Sequence, residues 1–95
     1  MIAVIATIRT KEGMGPQFEA AFAPLQAAVN ANEPGCKLYR LTRVQDQADV
    51  YKVLEMYEDQ AAIEAHRAST HFKELGAALG PFMAGRPEIE RLDAL

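Results

Sequence analysis

Cysteine, basic clusters and long apolar segments are scarce or missing in this 95-residue sequence, and each absence excludes a class of protein. A single cysteine, Cys36, rules out an intrachain disulfide and agrees with a reducing compartment. No segment reaches the roughly 18 consecutive apolar residues of a membrane span, so we expect no membrane partner. The apolar opening lacks a basic stretch before it and leads directly to Arg9 and Lys11, which favours a strand over a signal peptide. We therefore expect a cytoplasmic protein.

Lysine and arginine form no cluster, and the formal net charge is −3 with a pI near 5.3. This balance argues against a nucleic-acid partner, whose phosphates require a basic surface. The content of 49% hydrophobic and 24% charged residues is that of a soluble globular protein. A chain of this length buries only about 65% of its unfolded surface, so self-association would add stability. We expect one domain over residues 1–95.

Hydrophobic periodicity and turn signals predict an alternation of strands and helices. A buried stripe containing Phe18 and Phe22 marks the first helix, and Asp59 and Ser69 are expected to cap two later helical pieces. The predicted elements are a strand over 2–10, a helix over 16–32, strands over 37–45 and 50–57, helical segments over 60–68 and 70–79, and a last strand over 88–95. The order β-α-β-β-α-β is that of an α+β, ferredoxin-like fold, in which an antiparallel sheet has both helices on one face.

Two local features of this pattern carry specific expectations. Pro24 inside the first helix removes a hydrogen bond to the carbonyl of residue 20, which predicts a kink or a helix in two pieces. Pro34 and Gly35 occupy the central positions of a turn before Cys36, which predicts a type II turn.

Apolar residues occur on both faces of the first and third predicted strands, whereas the helices can cover only one face. Ala3 and Ile5 alternate with Val4 and Ala6, for example. An uncovered apolar face is an interaction surface, and the simplest cover is a second copy of the chain. We therefore expect a homodimer.

The stretch from Val50 to Phe72 holds the candidate catalytic residues. Glu55 lies on a strand face between Val53 and Tyr57, so its carboxylate needs a histidine, tyrosine or arginine partner. His66 is expected on the inner side of the following helix, where it can act as a general base because imidazoles titrate near neutral pH. Two alternatives stay open: Glu55 orients His66 in a relay, or both side chains only satisfy buried donors and carbonyls.

Four further residues are candidate substrate contacts. Tyr39 and Tyr57 can line an aromatic cavity, although strand tyrosines also fill cores. His71 and Phe72 open a helical piece whose free N–H groups favour an anionic ligand group, and a capping or packing role is the alternative. His66 and His71 are five residues apart, about 140° around a continuous helix, so no metal site is predicted.

The same residues resemble the antibiotic biosynthesis monooxygenase family over nearly the whole chain. The resemblance is carried by 33–36 with Tyr39 and Leu41, then by Tyr51, Glu55, Tyr57 and Asp59, and by Ala65-His66 and 69–72. It implies a dimeric α/β barrel in which two ferredoxin-like sheets pack face to face. Haem-degrading relatives use an asparagine, a tryptophan and a histidine where this sequence has Thr7, His66 and Gly76, which argues against haem degradation.

The resemblance implies a monooxygenase that oxidises a small aromatic or quinol-type substrate with O2 and uses no cofactor. In this hypothesis His66 and Glu55 are catalytic, and Tyr39, Tyr57, His71 and Phe72 bind the substrate. The alternative is a protein of the same fold that binds or isomerises a small oxygenated metabolite without oxidising it.

Overall fold

A computed structural model describes all 95 residues and has the predicted order of elements. Its strands are β1 (Ile2–Arg9), β2 (Cys36–Arg43), β3 (Val50–Tyr57) and β4 (Glu88–Asp93), and its helices are α1 (Gly15–Asn32), α2 (Gln60–Ala68) and α3 (Thr70–Ala77), followed by a 3-10 turn over Gly80–Phe82. The strands form one sheet in the order β2-β3-β1-β4, and every neighbouring pair is antiparallel. The structure thus confirms the ferredoxin-like α+β fold. No helix is both long enough and apolar enough to cross a membrane.

The core lies between α1 and one face of the sheet. Phe18, Phe22, Leu25 and Val29 form the predicted stripe of α1, and all four are buried. They pack against the alternate residues of the strands that point toward the helices, Ala6, Ile8, Tyr39, Tyr51 and Val53. The inward-facing residues of the strands and the buried stripe of α1 therefore pack into a single layer of side chains.

Helix α1 continues through Pro24 as one element, so the expectation of a helix in two pieces was wrong. Pro24 and Ala20 are both exposed. The carbonyl that proline leaves without an intrahelical donor therefore lies on the solvent side, where water can satisfy it.

The turn between α1 and β2 forms as predicted, with Cys36 N donating to Glu33 O at 3.0 Å. It is not a type II turn, because Gly13 is the only glycine with a positive φ. Gly35 is needed for space: a Cβ on this residue would lie 2.8 Å from Ala62 Cβ. The absence of a side chain at Gly35 lets α2 pack directly against the turn.

The remaining differences from prediction are at element ends. β2 stops at Arg43 because the chain turns at Asp46, whose φ is 64°, and β1 stops at Arg9, beyond which Thr10 forms an isolated bridge with Met83. Pairing with β1 ends at Asp93, so β4 is shorter than the predicted segment over 88–95.

The sheet face away from the helices is not covered by this chain. Its apolar residues come from all four strands, and strand register aligns Leu38, Met56, Ala3 and Leu92 in one row across the sheet. Leu38 and Leu92 are 41% and 42% exposed. We name these four residues the open-face row.

Candidate active site

A cavity of about 390 Å³ lies between the sheet and the helices α2 and α3. Most of its lining is apolar, and a few polar side chains interrupt it. The apolar lining includes Val4, Ala6 and Ile8 of β1, Phe22 and Leu25 of α1, Val53 of β3, Ile63 of α2 and Leu79. This volume and composition are those of a small-molecule site.

His66 is placed on the cavity wall by α2. Asp59 caps the helix as predicted, since its carboxylate accepts from Ala62 N at 2.9 Å. His66 is only 5% exposed, and the centroid of its ring lies 4.5 Å from that of Phe72, 5.2 Å from that of Tyr39 and 5.6 Å from that of Tyr57. The imidazole is thus held in a cage of three aromatic rings.

Ser69 turns the chain back so that Phe72 reaches this cage. Its backbone is extended, with φ −66° and ψ 146°, which ends α2. Its hydroxyl donates to His66 O at 2.7 Å and accepts from Phe72 N at 3.2 Å, which begins α3. The predicted re-capping at Ser69 is confirmed, and it joins the end of one helix to the start of the next.

The carboxylate beside His66 is Glu33, in the turn after α1. His66 Nδ1 lies 3.0 Å from each of the two carboxylate oxygens of Glu33. His71 Nε2 also contacts Glu33 Oε2, so one carboxylate joins both histidines of the chain. The side chains of Glu33 and His66 are 9% and 6% exposed. Because Glu33 engages Nδ1, Nε2 is the His66 nitrogen available to a ligand in the cavity.

Glu33 was not among the site residues predicted from the sequence. The only signal for it was a carboxylate at the start of the Pro34-Gly35 turn, 33 positions before His66. No sequence pattern relates two residues this far apart, so the contact depends on how the turn after α1 packs against α2.

The relay in which Glu55 orients His66, one of the two alternatives left open by the sequence, is not seen in the structure. Glu55 Oε1 accepts from the Tyr57 hydroxyl at 2.6 Å, which fulfils the expectation of a tyrosine partner. The two residues are two apart on β3 and therefore share a face, whereas His66 is already engaged by Glu33. Glu55 nevertheless lines the cavity.

Burial raises the pKa of Glu55 to about 7, against the lowering effects of the Tyr57 hydrogen bond and the Arg67 charge. Burial and the neighbouring Glu55 charge also raise the pKa of the Tyr57 phenol. The Glu55–Tyr57 pair therefore holds a carboxyl group that exchanges its proton near neutral pH and a phenol that stays protonated.

Five of the six predicted site residues line the cavity: Tyr39, Glu55, Tyr57, His66 and Phe72. The sixth, His71, is not part of the lining, and its Nε2 contacts the buried carboxylate of Glu33. Tyr51 also lies away from this cavity, and its hydroxyl donates to Glu19 Oε2 at 2.5 Å. No group of three or more His, Cys, Asp or Glu side chains is arranged to hold a metal ion.

Comparisons with known proteins agree with this architecture. The family model for antibiotic biosynthesis monooxygenase matches residues 1–78. A crystal structure from Caulobacter crescentus, assigned to the same family, is 48% identical, with 99% of this chain and 89% of that chain covered and a TM-score of 0.94. A protein from Pseudomonas aeruginosa is 26% identical over 99% of this chain and 93% of its own, with a TM-score of 0.86.

A structure from Nitrosomonas europaea has a TM-score of 0.91 at 18% identity, with 100% of this chain and 99% of that chain covered, and so supports the fold alone. No curated protein matches the sequence. The family match spans all of the cavity-lining elements except β4 and the segment that precedes it. On the family match and the 48% identity to the Caulobacter crescentus protein, this chain belongs to the antibiotic biosynthesis monooxygenase family.

Proposed function

We propose that the protein is a cofactor-independent monooxygenase that oxidises a small aromatic or quinol-type substrate with O2. The observation that carries this proposal is the buried His66, whose Nδ1 is held by Glu33 and whose ring lines an apolar cavity. A base oriented by a carboxylate and enclosed by aromatic rings is suited to deprotonate a phenol.

In the proposed first step, His66 Nε2 accepts the proton of a substrate hydroxyl group. Glu33 stabilises the imidazolium that forms, because its carboxylate accepts from Nδ1–H. The substrate is left as a phenolate, which is electron-rich at the ring carbons. Tyr39, Tyr57 and Phe72 surround this ring with aromatic surface and exclude water.

In the proposed second step, the phenolate transfers electrons to O2 and a ring carbon forms a bond to one oxygen atom. The peroxide is then protonated, and the ring carbon that carries it loses its proton. The electron pair of that C–H bond forms a new C=O bond as the O–O bond breaks, which releases water and leaves the other oxygen in the product. For 1,4-naphthohydroquinone the balance is one substrate and one O2 to 2-hydroxy-1,4-naphthoquinone and one water. All four electrons come from the substrate. Glu55 is the proposed proton donor to the peroxide, since its pKa is raised to about 7 inside the cavity.

This proposal is tested with 1,4-naphthohydroquinone and ¹⁸O2, followed by mass spectrometry of the product. Wild-type protein should insert one ¹⁸O atom and release the other as labelled water. A His66→Ala variant that remains folded should be slower by about 10²-fold. Oxidation to unlabelled naphthoquinone at the rate of a protein-free control would contradict the proposal.

An alternative function on the same fold is isomerisation of a small oxygenated metabolite. It is favoured by the same cavity, because His66 and the protonatable Glu55 form a base and an acid on one substrate pocket. Anaerobic incubation separates the two functions, since only an isomerase would turn over its substrate without O2.

A further inference from the structure

Two basic side chains line the cavity and form no ion pair. Arg67 and Lys73 both contribute to its lining, and both side chains are exposed to solvent. Neither contacts a carboxylate of the chain, whereas Arg9, Lys37 and Arg43 pair with glutamates elsewhere on the surface. Arg67 and Lys73 thus leave their hydrogen-bond donors free at the solvent-exposed rim of the cavity.

The helix break at Ser69 explains why the two cations come to the same rim. Arg67 directly follows His66 near the end of α2, and Lys73 directly follows Phe72 in the first turn of α3. The rings of His66 and Phe72 meet with their centroids 4.5 Å apart. Each inward-facing ring is therefore followed by a cation that remains in solvent while its stem reaches the cavity.

The lining of the cavity contains little negative charge. Glu55 is the only carboxylate in the cavity lining, and its Oε1 is occupied by the Tyr57 hydroxyl. Burial raises the pKa of Glu55 to about 7, so the carboxyl group is partly neutral at physiological pH. The side chains that line the cavity thus carry a local excess of positive charge on a chain whose net charge is −3. Such a local field favours anions over neutral ligands.

We infer that the substrate carries an anionic substituent, which binds at the rim to Arg67 and Lys73 while its aromatic ring fills the apolar cavity. This inference rests on the proposed function, because it names the substrate class for the same cavity. An acidic group on the ring suits a guanidinium and an ammonium group, of which the first can bind two oxygens at once. The cavity volume of about 390 Å³ accommodates a substrate of one or two rings.

Anaerobic calorimetry tests the inference without turnover. We compare 1,4-dihydroxy-2-naphthoate with uncharged 1,4-naphthohydroquinone, and include 1,4-dihydroxynaphthalene-2-sulfonate as a second anion. Wild-type protein should bind the naphthoate about 5- to 10-fold more tightly than the neutral compound at low salt, and high salt should reduce this ratio. Preference for both anions indicates that the rim recognises charge, and preference for the carboxylate alone indicates that it also recognises the planar shape of that group.

Substitutions of the two basic residues test whether the preference for anions arises at the rim. Arg67→Gln and Lys73→Gln should each lower the ratio by about 2- to 3-fold, and the double variant should abolish it. Lys11→Gln removes the same charge from an exposed residue outside the cavity and should leave the ratio unchanged. Equal affinities in wild-type protein, a preference that survives in the double variant, or no measurable naphthoate binding at millimolar concentration would overturn the inference. Preferential binding of naphthoate without its aerobic oxidation would instead leave the anion site standing and contradict the monooxygenase.

Discussion

Glu33 is the residue on which the two histidines depend. Its carboxylate is nearly buried and contacts His66 Nδ1 and His71 Nε2, which come from different helices. A carboxylate has two oxygens that only accept, so it can serve two N–H donors at once. An amide of the same shape has one accepting oxygen and one donating nitrogen. This difference makes Glu33 testable by a substitution that conserves volume.

We predict that Glu33→Gln lowers the free energy of unfolding by about 1.5 to 3 kcal/mol and reduces turnover by 10-fold or more. One imidazole then loses its acceptor, and the imidazolium of His66 loses a compensating charge. Glu58→Gln is the matched control, because Glu58 is 52% exposed and only pairs with Lys37 at 3.0 Å. Urea denaturation and activity measurements on both variants check this. Equal effects of the two substitutions would show that Glu33 has no special role.

Glu55 makes stability depend on pH in a predictable direction. Its pKa is about 7 in the folded protein and near its ordinary value of 4.5 in the unfolded chain. Between these values the folded state keeps a proton that the unfolded state has released, so the free energy of unfolding falls as pH rises from 4.5 to 7. Below the pKa of the unfolded chain, Glu55 is protonated in both states and none of this free energy of unfolding is lost.

We predict that Glu55→Gln reduces the fall in the free energy of unfolding over this pH range. A neutral amide does not titrate, and its oxygen still accepts from the Tyr57 hydroxyl. The difference between wild type and variant should change by about 1 to 3 kcal/mol between pH 5 and pH 8. Thermal or urea unfolding at both pH values measures it, with Glu58→Gln as the control for loss of a glutamate. Parallel pH profiles for wild type and Glu55→Gln would contradict the assignment.

At the scale of elements, the junction of α2 and α3 determines the shape of the cavity wall. Ser69 hydrogen-bonds to His66 O and Phe72 N, so it fixes the angle at which the two helices meet. Without this junction, a continuous helix would place His66 and Phe72 about 120° apart around its axis, because they are six positions apart in the sequence. The break is therefore needed to bring their rings together.

We predict that Ser69→Ala lowers the free energy of unfolding by about 1 kcal/mol through loss of the cap. It should also raise KM for any substrate of the cavity, because Phe72 is less firmly held. Thr70→Ala is the control: Thr70 is exposed, and its side chain forms no hydrogen bond within the chain. Chemical denaturation and steady-state kinetics on both variants check this. A loss of stability in Thr70→Ala as large as that in Ser69→Ala would show that the cap at Ser69 is not responsible.

At the scale of the whole molecule, the open-face row remains in contact with solvent in a single chain. Leu38 and Leu92 are half exposed at opposite edges of the sheet, with Met56 and Ala3 between them. The helices α1, α2 and α3 all lie on the other face. An apolar row that spans a whole sheet is typical of an interface between subunits.

We predict that the protein is a homodimer at micromolar concentration and that Met56→Lys dissociates it, since a charge would be buried in the interface. Ala27→Lys introduces the same charge on the exposed side of α1 and should leave the dimer intact. Sedimentation equilibrium of the three proteins measures the assembly. A wild-type protein that is folded and monomeric under these conditions would falsify the prediction.

Several parts of this architecture could be predicted from the sequence because they depend on residues close to one another in the chain. The Phe18-Phe22-Leu25-Val29 stripe defined α1 and its buried face, and alternation in β3 placed Tyr57 and Glu55 on the same side. Asp59 and Ser69 cap helices through backbone N–H groups three positions away. Interactions of this range are set by backbone geometry, which periodicity and capping rules describe.

Only the tertiary structure decided which side chains meet across elements. The contact of Glu33 with His66 and His71 spans 33 and 38 positions, and it arises because Gly35 lets the turn after α1 approach α2. The same packing decided between the alternatives that the sequence left open, because His66 contacts Glu33 and Glu55 contacts Tyr57. Hydrophobic patterning determines that two elements bury a face together. The side chains that touch depend on the angle and translation between those elements, which are fixed by close packing of the complete core.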